Sequence, residues 1–153
     1  MPPRVIEGLD HLKSLAGETL GTSDWFVVTQ ERVNHFADGT GDHQWIHCDP
    51  ERARRESPYE TTVAHGFFTL SLCPVLAQQI YTVHGLKLVL NYGLNRVRFP
   101  GPVKVGSRVR MTCQILEVRT TPHGVQTTIK NVFEVEGEKR PACVAESVVR
   151  MFF

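Results

Sequence analysis

The sequence predicts an α+β fold in which one buried helix is followed by an antiparallel meander. Three observations carry this. From Gly66 to about Val83 the chain is strongly apolar. Phe68, Leu72, Leu76 and Ile80 recur every four residues, and apolar side chains also occupy the other faces, which is the pattern of a mostly buried helix. Beyond it the period changes to two. Val109, Met111, Cys113 and Ile115 alternate with Arg108, Arg110, Thr112 and Gln114, while Val125, Thr127, Ile129, Phe133 and Val135 mostly alternate with polar residues. Gly101-Pro102, Pro122-His123-Gly124 and Glu136-Gly137 supply the turns.

The remaining elements follow in order. Residues 5–16 read as a short helix and Trp25 to Val28 as a strand. Thr29 is an N-cap for a helix from Gln30 to about Asp38, with Val33, Phe36 and Ala37 as its apolar side. Asp49 is an N-cap and Pro50 a first helical residue, so a short helix runs to about Arg54. Residues 43–47 between these helices are read as loop, and 57–65 as an irregular segment containing Pro58. Pro74 costs the central helix one hydrogen bond and bends it. Residues 142–153 form a last strand with apolar residues on both faces.

At 153 residues the chain has the size of one domain with a real core, so 1–153 is taken as a single unit with 1–17 as an N-terminal helical extension. A net charge of +1 leaves no global field to attract nucleic acid or a membrane surface. Met1 to Gly17 has no continuous apolar core and carries Glu7, Asp10 and Lys13, unlike a signal peptide. No stretch approaches transmembrane length. Cys48, Cys73, Cys113 and Cys143 form no C-x-x-C pair, and Cys113 and Cys143 fall in strand-like segments as small hydrophobes. A reducing cytoplasm is the simplest reading.

The chemistry concentrates in Gly41-Asp42-His43-Gln44-Trp45-Ile46-His47. A carboxylate and an imidazole converging on one point can hold a water molecule and move its protons. That is the minimum equipment for adding water to, or removing it from, a polarised carbon–carbon double bond. Gly39 and Gly41 free the backbone before Asp42, and both Asp42 and His47 lie on a loop held by rigid elements, with little packing to lose. His43 and His47 have helical metal-ligand spacing, but a loop at 43–47 argues against a metal, and none is expected. Cys48 lacks a separate orienting group for nucleophilic work.

The motif GDHQWIH resembles that of the MaoC-like (R)-specific enoyl-CoA hydratases, G-D-x-N-P-(L/I/V)-H. Asp42, Ile46 and His47 match; Gln44 stands where Asn is usual and Trp45 where Pro is usual. Val63-Ala64-His65-Gly66-Phe67 is similar to a second signature. Asn95 to Val103 with Val105-Gly106 is similar to a third. The resemblance covers about residues 18 to 153. It implies a hot-dog fold, a curved antiparallel sheet wrapped around a central helix.

It also implies reversible hydration of trans-2-enoyl thioesters to (R)-3-hydroxyacyl thioesters, with a hot-dog thioesterase or a non-catalytic acyl-thioester-binding module as alternatives. Asp42 and His47 would share the reacting water, and the sequence leaves open which is the formal base. The Gly66 N–H would face the enolate oxygen. Gln44, Trp45, His65, Phe67, Arg96 and Arg98 are the candidate substrate-binding residues. Arg96, Arg98, Lys104, Arg108 and Arg110 read equally as a solvated strand face or as contacts for coenzyme A phosphates. No cofactor is needed, since coenzyme A or an acyl carrier protein arrives with the substrate. A homodimer is expected, because apolar Val148, Val149, Met151, Phe152 and Phe153 exceed what a sheet of about five strands hides around one helix. The resemblance adds that the acyl pocket forms between subunits.

Overall fold

The computed structural model describes residues 1–153. Its main sheet has six strands: β2 (Thr19–Thr22), β3 (Phe26–Val27), β5 (Leu88–Arg98), β6 (Arg108–Thr121), β7 (Gly124–Val135) and β8 (Cys143–Phe152). The order is β2-β6-β7-β8-β5, with β3 also on β6, and every pairing is antiparallel. A separate parallel pair joins β1 (Arg4–Ile6) to β4 (Tyr81–Val83). Between them, α1 (Gly8–Ser14) is shorter than the expected helix because residues 4–6 are drawn into that pair. Ile6, Leu12 and Leu15 are buried with the main core, so this N-terminal segment packs on the domain.

The helical patterning reads through directly. Phe68, Leu72, Leu76 and Ile80 are all buried against the sheet face made by Val109, Met111, Ile115, Ile129, Phe133 and Met151. Full burial of one such side chain is worth about 1.5–3 kcal/mol, so this stripe is the main anchor of the helix. The helix is not continuous, however. It divides into α5 (Gly66–Ser71) and α6 (Cys73–Ile80), with Leu72 as the joint. Pro74 is the cause: it has no N–H to donate and its ring collides with the carbonyl four residues back. It sits instead in the first turn of α6, where a missing N–H costs nothing. The chain leaves α6 at Tyr81, so residues 81–83 are strand rather than helix.

β5 corrects a second expectation. The C-terminal apolar run is not surplus: β8 lies between β7 and β5, and Val148, Val149 and Met151 are buried. The exposed apolar edge belongs to β5, which bonds only to β8 and exposes Leu88, Val89, Leu90, Tyr92 and Leu94. An edge strand buries one flank less than an inner strand with the same residue types. No helix is long and apolar enough to cross a membrane.

The elements that position the site are α2 (Gln30–Thr40), α3 (Trp45–Cys48) and α4 (Pro50–Glu56). Thr29 Oγ1 accepts the Arg32 N–H and Asp49 accepts the Arg52 N–H, so both helices start on the expected caps. Val33 and Ala37 are the buried face of α2.

Candidate active site

α2 ends at Gly41, whose φ of 82° is left-handed and whose N–H returns to the Ala37 carbonyl. Glycine takes that conformation without a Cβ penalty, and the turn delivers Asp42 at a fixed angle. The Asp42 N–H donates to Thr40 Oγ1, and Asp42 Oδ1 accepts the Gln44 N–H. The second bond is an Asx turn, which holds the carboxylate and starts a new helical turn. Residues 45–48 therefore coil into α3 rather than remaining loop. The Asx turn behind and the Asp49 cap ahead leave the four residues little other geometry.

His47 lies on α3 and is buried, not loop-exposed as the sequence suggests. Its Nδ1 is 2.6 Å from the Val63 carbonyl. A carbonyl only accepts, so Nδ1 carries the proton and Nε2 keeps a free lone pair. The His47 carbonyl accepts from Gln30 Nε2 at 2.7 Å, and Gln30 Oε1 accepts from the buried Thr62 hydroxyl at 2.6 Å. The 62–64 segment is clamped in turn, with Val63 N–H donating to the Ile46 carbonyl and Ala64 N–H to the Val103 carbonyl.

His65 is also buried, offering a ligand almost no surface. Its Nε2–H donates to the Asp42 backbone carbonyl at 2.9 Å, and its ring stacks on His47 with centroids 3.8 Å apart. Gly66 opens α5, so its N–H has no acceptor within the helix. A Cβ at Gly66 would stand 3.2 Å from the Phe99 ring, so glycine lets that ring lie close over the helix start and a larger residue would push it back by a few tenths of an ångström. Phe67 is 69% exposed and meets Phe99 edge-on.

Asp42, His47 and His65 each place one side-chain donor atom within 4.8 Å of the others. Two hydrogen bonds of about 2.8 Å span that distance, so a water fits between carboxylate and imidazole. Burial pushes His47 below the ordinary histidine value, His65 lowers it further, and the Val63 bond and Asp42 pull it up in part. The ring is thus neutral and able to take a proton near pH 7. The same three residues have the composition of a metal site, but His65 Nε2 is committed to a carbonyl. His43 turns away to Asp38 at 2.8 Å, which removes the His43–His47 pairing. Burial raises the Cys48 thiol, which makes it a poorer nucleophile.

The other candidates divide. Gln44 is exposed at the start of α3, and Trp45 is half-buried beneath the Arg52 guanidinium. Arg96 and Arg98 project from the exposed β5, and Phe99, next to Arg98, reaches Gly66 and Phe67. Arg110 of β6 pairs with Glu134 of β7, and Arg108 with Glu136 just past the end of β7, so neither guanidinium is free. Sequence reasoning missed Gln30, Thr62 and the Val63 carbonyl. Nothing local marks them, because Gln30 reads only as a first helical residue and its bond to Thr62 spans 32 positions.

A family model described as MaoC like domain matches residues 12–136. The chain is 58% identical over 148 residues to 3-hydroxyacyl-thioester dehydratase Z of Mycobacterium tuberculosis, covering 96% of this chain and 97% of the relative. It is 42% identical over 139 residues to nodulation protein N of Rhizobium meliloti, covering 90% and 86%. Among solved structures, an (R)-hydratase from A. caviae involved in PHA biosynthesis superposes with a TM-score of 0.71 at 23% identity, covering 87% and 96%, and shares the fold. On the family match and these two relatives, the chain is a member of the MaoC-like family with the hot-dog fold.

Proposed function

We propose that this protein is a hydro-lyase that interconverts trans-2-enoyl thioesters and (R)-3-hydroxyacyl thioesters. The observation that carries the reading is the approach of the Asp42 carboxylate to a buried His47 nitrogen within 4.8 Å, a span that one bridging water can cover. In hydration, His47 Nε2 takes a proton from the shared water as its oxygen bonds to C3. The C2–C3 π electrons move toward the thioester carbonyl, and the enolate oxygen meets the Gly66 N–H. The proton taken by His47 returns to C2, so one water is added and nothing is oxidised. Asp42 orients the water and balances the charge that His47 gains. The name of the mycobacterial relative, 3-hydroxyacyl-thioester dehydratase, supports the substrate class. The (R) outcome follows the family.

A cavity of about 320 Å³ lies between α6 and the sheet, lined in part by Ala77, Val89, Ile129, Val149 and Met151. It suits an apolar acyl tail. Arg96 and Arg98 are the guanidinium groups left for coenzyme A phosphates, since Arg108 and Arg110 are neutralised. Two copies paired along β5 would continue the sheet, cover Leu88, Leu90 and Leu94, and close by two-fold symmetry. Val89 lies on both β5 and the cavity wall, so a homodimer would complete the pocket as well as the edge. Four free thiols fit a reducing cytoplasm.

No metal or redox cofactor enters this reading, because the thioester carbonyl is itself the electron sink. Exhaustive chelation should leave activity unchanged; activity lost and then restored by Zn²⁺ would assign a metal to the histidines.

The deciding assay follows enoyl absorbance and free thiol together over a short-to-long enoyl-CoA series. Loss of absorbance without thiol release is the expected result. Thiol release without hydration would make the protein a thioesterase, and binding without turnover would make it a carrier module.

A further inference from the structure

We propose that His65 is the positioning residue of the catalytic pair, tethering Asp42 through its Nε2–H and His47 through ring stacking. This rests on the hydratase reading above. Three features of the geometry carry it. The Nε2–H donates to the Asp42 backbone carbonyl and lies 3.9 Å from the carboxylate Oδ2, beyond hydrogen-bond reach. His65 therefore fixes where Asp42 stands without occupying the oxygen that must hold water. The ring lies against His47 at 3.8 Å, only 25° from parallel, with Phe36 on it at 4.9 Å from α2. Packed against both rings, His65 limits the rotation of His47 about its Val63 bond. Finally, its Nδ1 is buried with no partner. A side chain kept only for packing would not leave a buried nitrogen unsatisfied, since that costs about 1–3 kcal/mol that leucine would not incur.

The two histidines thereby hold opposite tautomers. His47 carries its proton on Nδ1 and His65 on Nε2, each set by a backbone carbonyl. The ionisable groups acting on His47 are His65, from the approach to α5, and Asp42, from the turn after α2. The Phe36 and Phe68 rings around them carry no charge. With its Nε2–H committed to the Asp42 carbonyl, His65 leaves His47 as the group that takes the water proton, and the sequence position of His65, beside Gly66, couples the pair to the oxyanion donor.

The test compares His65→Leu, which keeps apolar bulk but no donor, with His65→Gln, which restores an N–H at similar reach. For His65→Leu, kcat should fall about 10- to 100-fold, the scale of a small misplacement of reacting groups. KM should stay within about twofold. His65→Gln should recover part of the loss. In His65→Leu the acid limb of the rate profile should move toward higher pH, because a neighbour that lowers His47 is gone; a purely structural residue would not move it. Long-range ¹H–¹⁵N spectra of the wild-type protein should show His47 as the Nδ1–H tautomer and His65 as the Nε2–H tautomer. Unchanged kcat in His65→Leu, or His65 protonated on Nδ1 instead, overturns the proposal. If His65→Leu does not fold, His65→Gln and the wild-type spectra decide it. If the wild-type protein hydrates no enoyl thioester, the hydratase reading fails, while the spectra still judge the role of His65.

Discussion

Gln30 Nε2 donates to the backbone carbonyl of His47 at 2.7 Å, so the first residue of α2 holds the residue read here as the base. The same amide accepts the Thr62 hydroxyl and donates to Asn34. One side chain thus joins α2, α3 and the strand-like segment that carries the Val63 carbonyl. Gln30→Leu should leave the His47 carbonyl and the Thr62 hydroxyl unpartnered and cost about 1–3 kcal/mol of stability. It should lower kcat with little change in KM. Denaturant unfolding and steady-state kinetics check both, and wild-type values in each would remove Gln30 from the site.

Asp42→Asn and His47→Ala should each reduce turnover by about 10²- to 10⁴-fold. Their stabilities should differ. The Asp42 side chain is 55% exposed, so Asp42→Asn should melt like the wild type. His47 is buried and stacked, so His47→Ala should also lose stability. The double variant should be far from additive, because in the proposed mechanism both groups act on one water. Near wild-type hydration by either single variant would refute the pair.

The pH dependence has a definite sign. His47 titrates below the ordinary value of 6.5 in the folded protein. Between 6.5 and that lower value the unfolded chain binds more protons at this site than the folded one. Its contribution to stability is therefore full above 6.5 and is lost as pH falls through this window. The acid limb of kcat/KM should likewise lie below 6.5, since the free base must be neutral. A limb at or above 6.5 that moves with no His47 variant would contradict this.

The apolar β5 edge makes concentration a variable. Dilution should reduce activity and stability together, because a dimer would cover Leu88, Leu90 and Leu94 and complete the cavity at Val89. Sedimentation of a fully active monomer at assay concentration would dismiss the dimer.

Local chemistry alone determined much of this protein. The four-residue stripe of Phe68, Leu72, Leu76 and Ile80, the alternation in β6 and β7, and the caps at Thr29 and Asp49 depend only on near neighbours, so they are legible as written. The approach of Asp42 to His47 was legible as a compact motif flanked by turn and cap residues. Tertiary structure decided the rest. β5 was invisible because, as an edge strand with exposed apolar residues on both faces, it shows no burial alternation. The burial of His47, the carbonyl that selects its tautomer and the Gln30–Thr62 brace join segments 16 to 32 residues apart. No window of sequence contains both partners, and only the packing of α2 against the 62–65 segment brings them into contact.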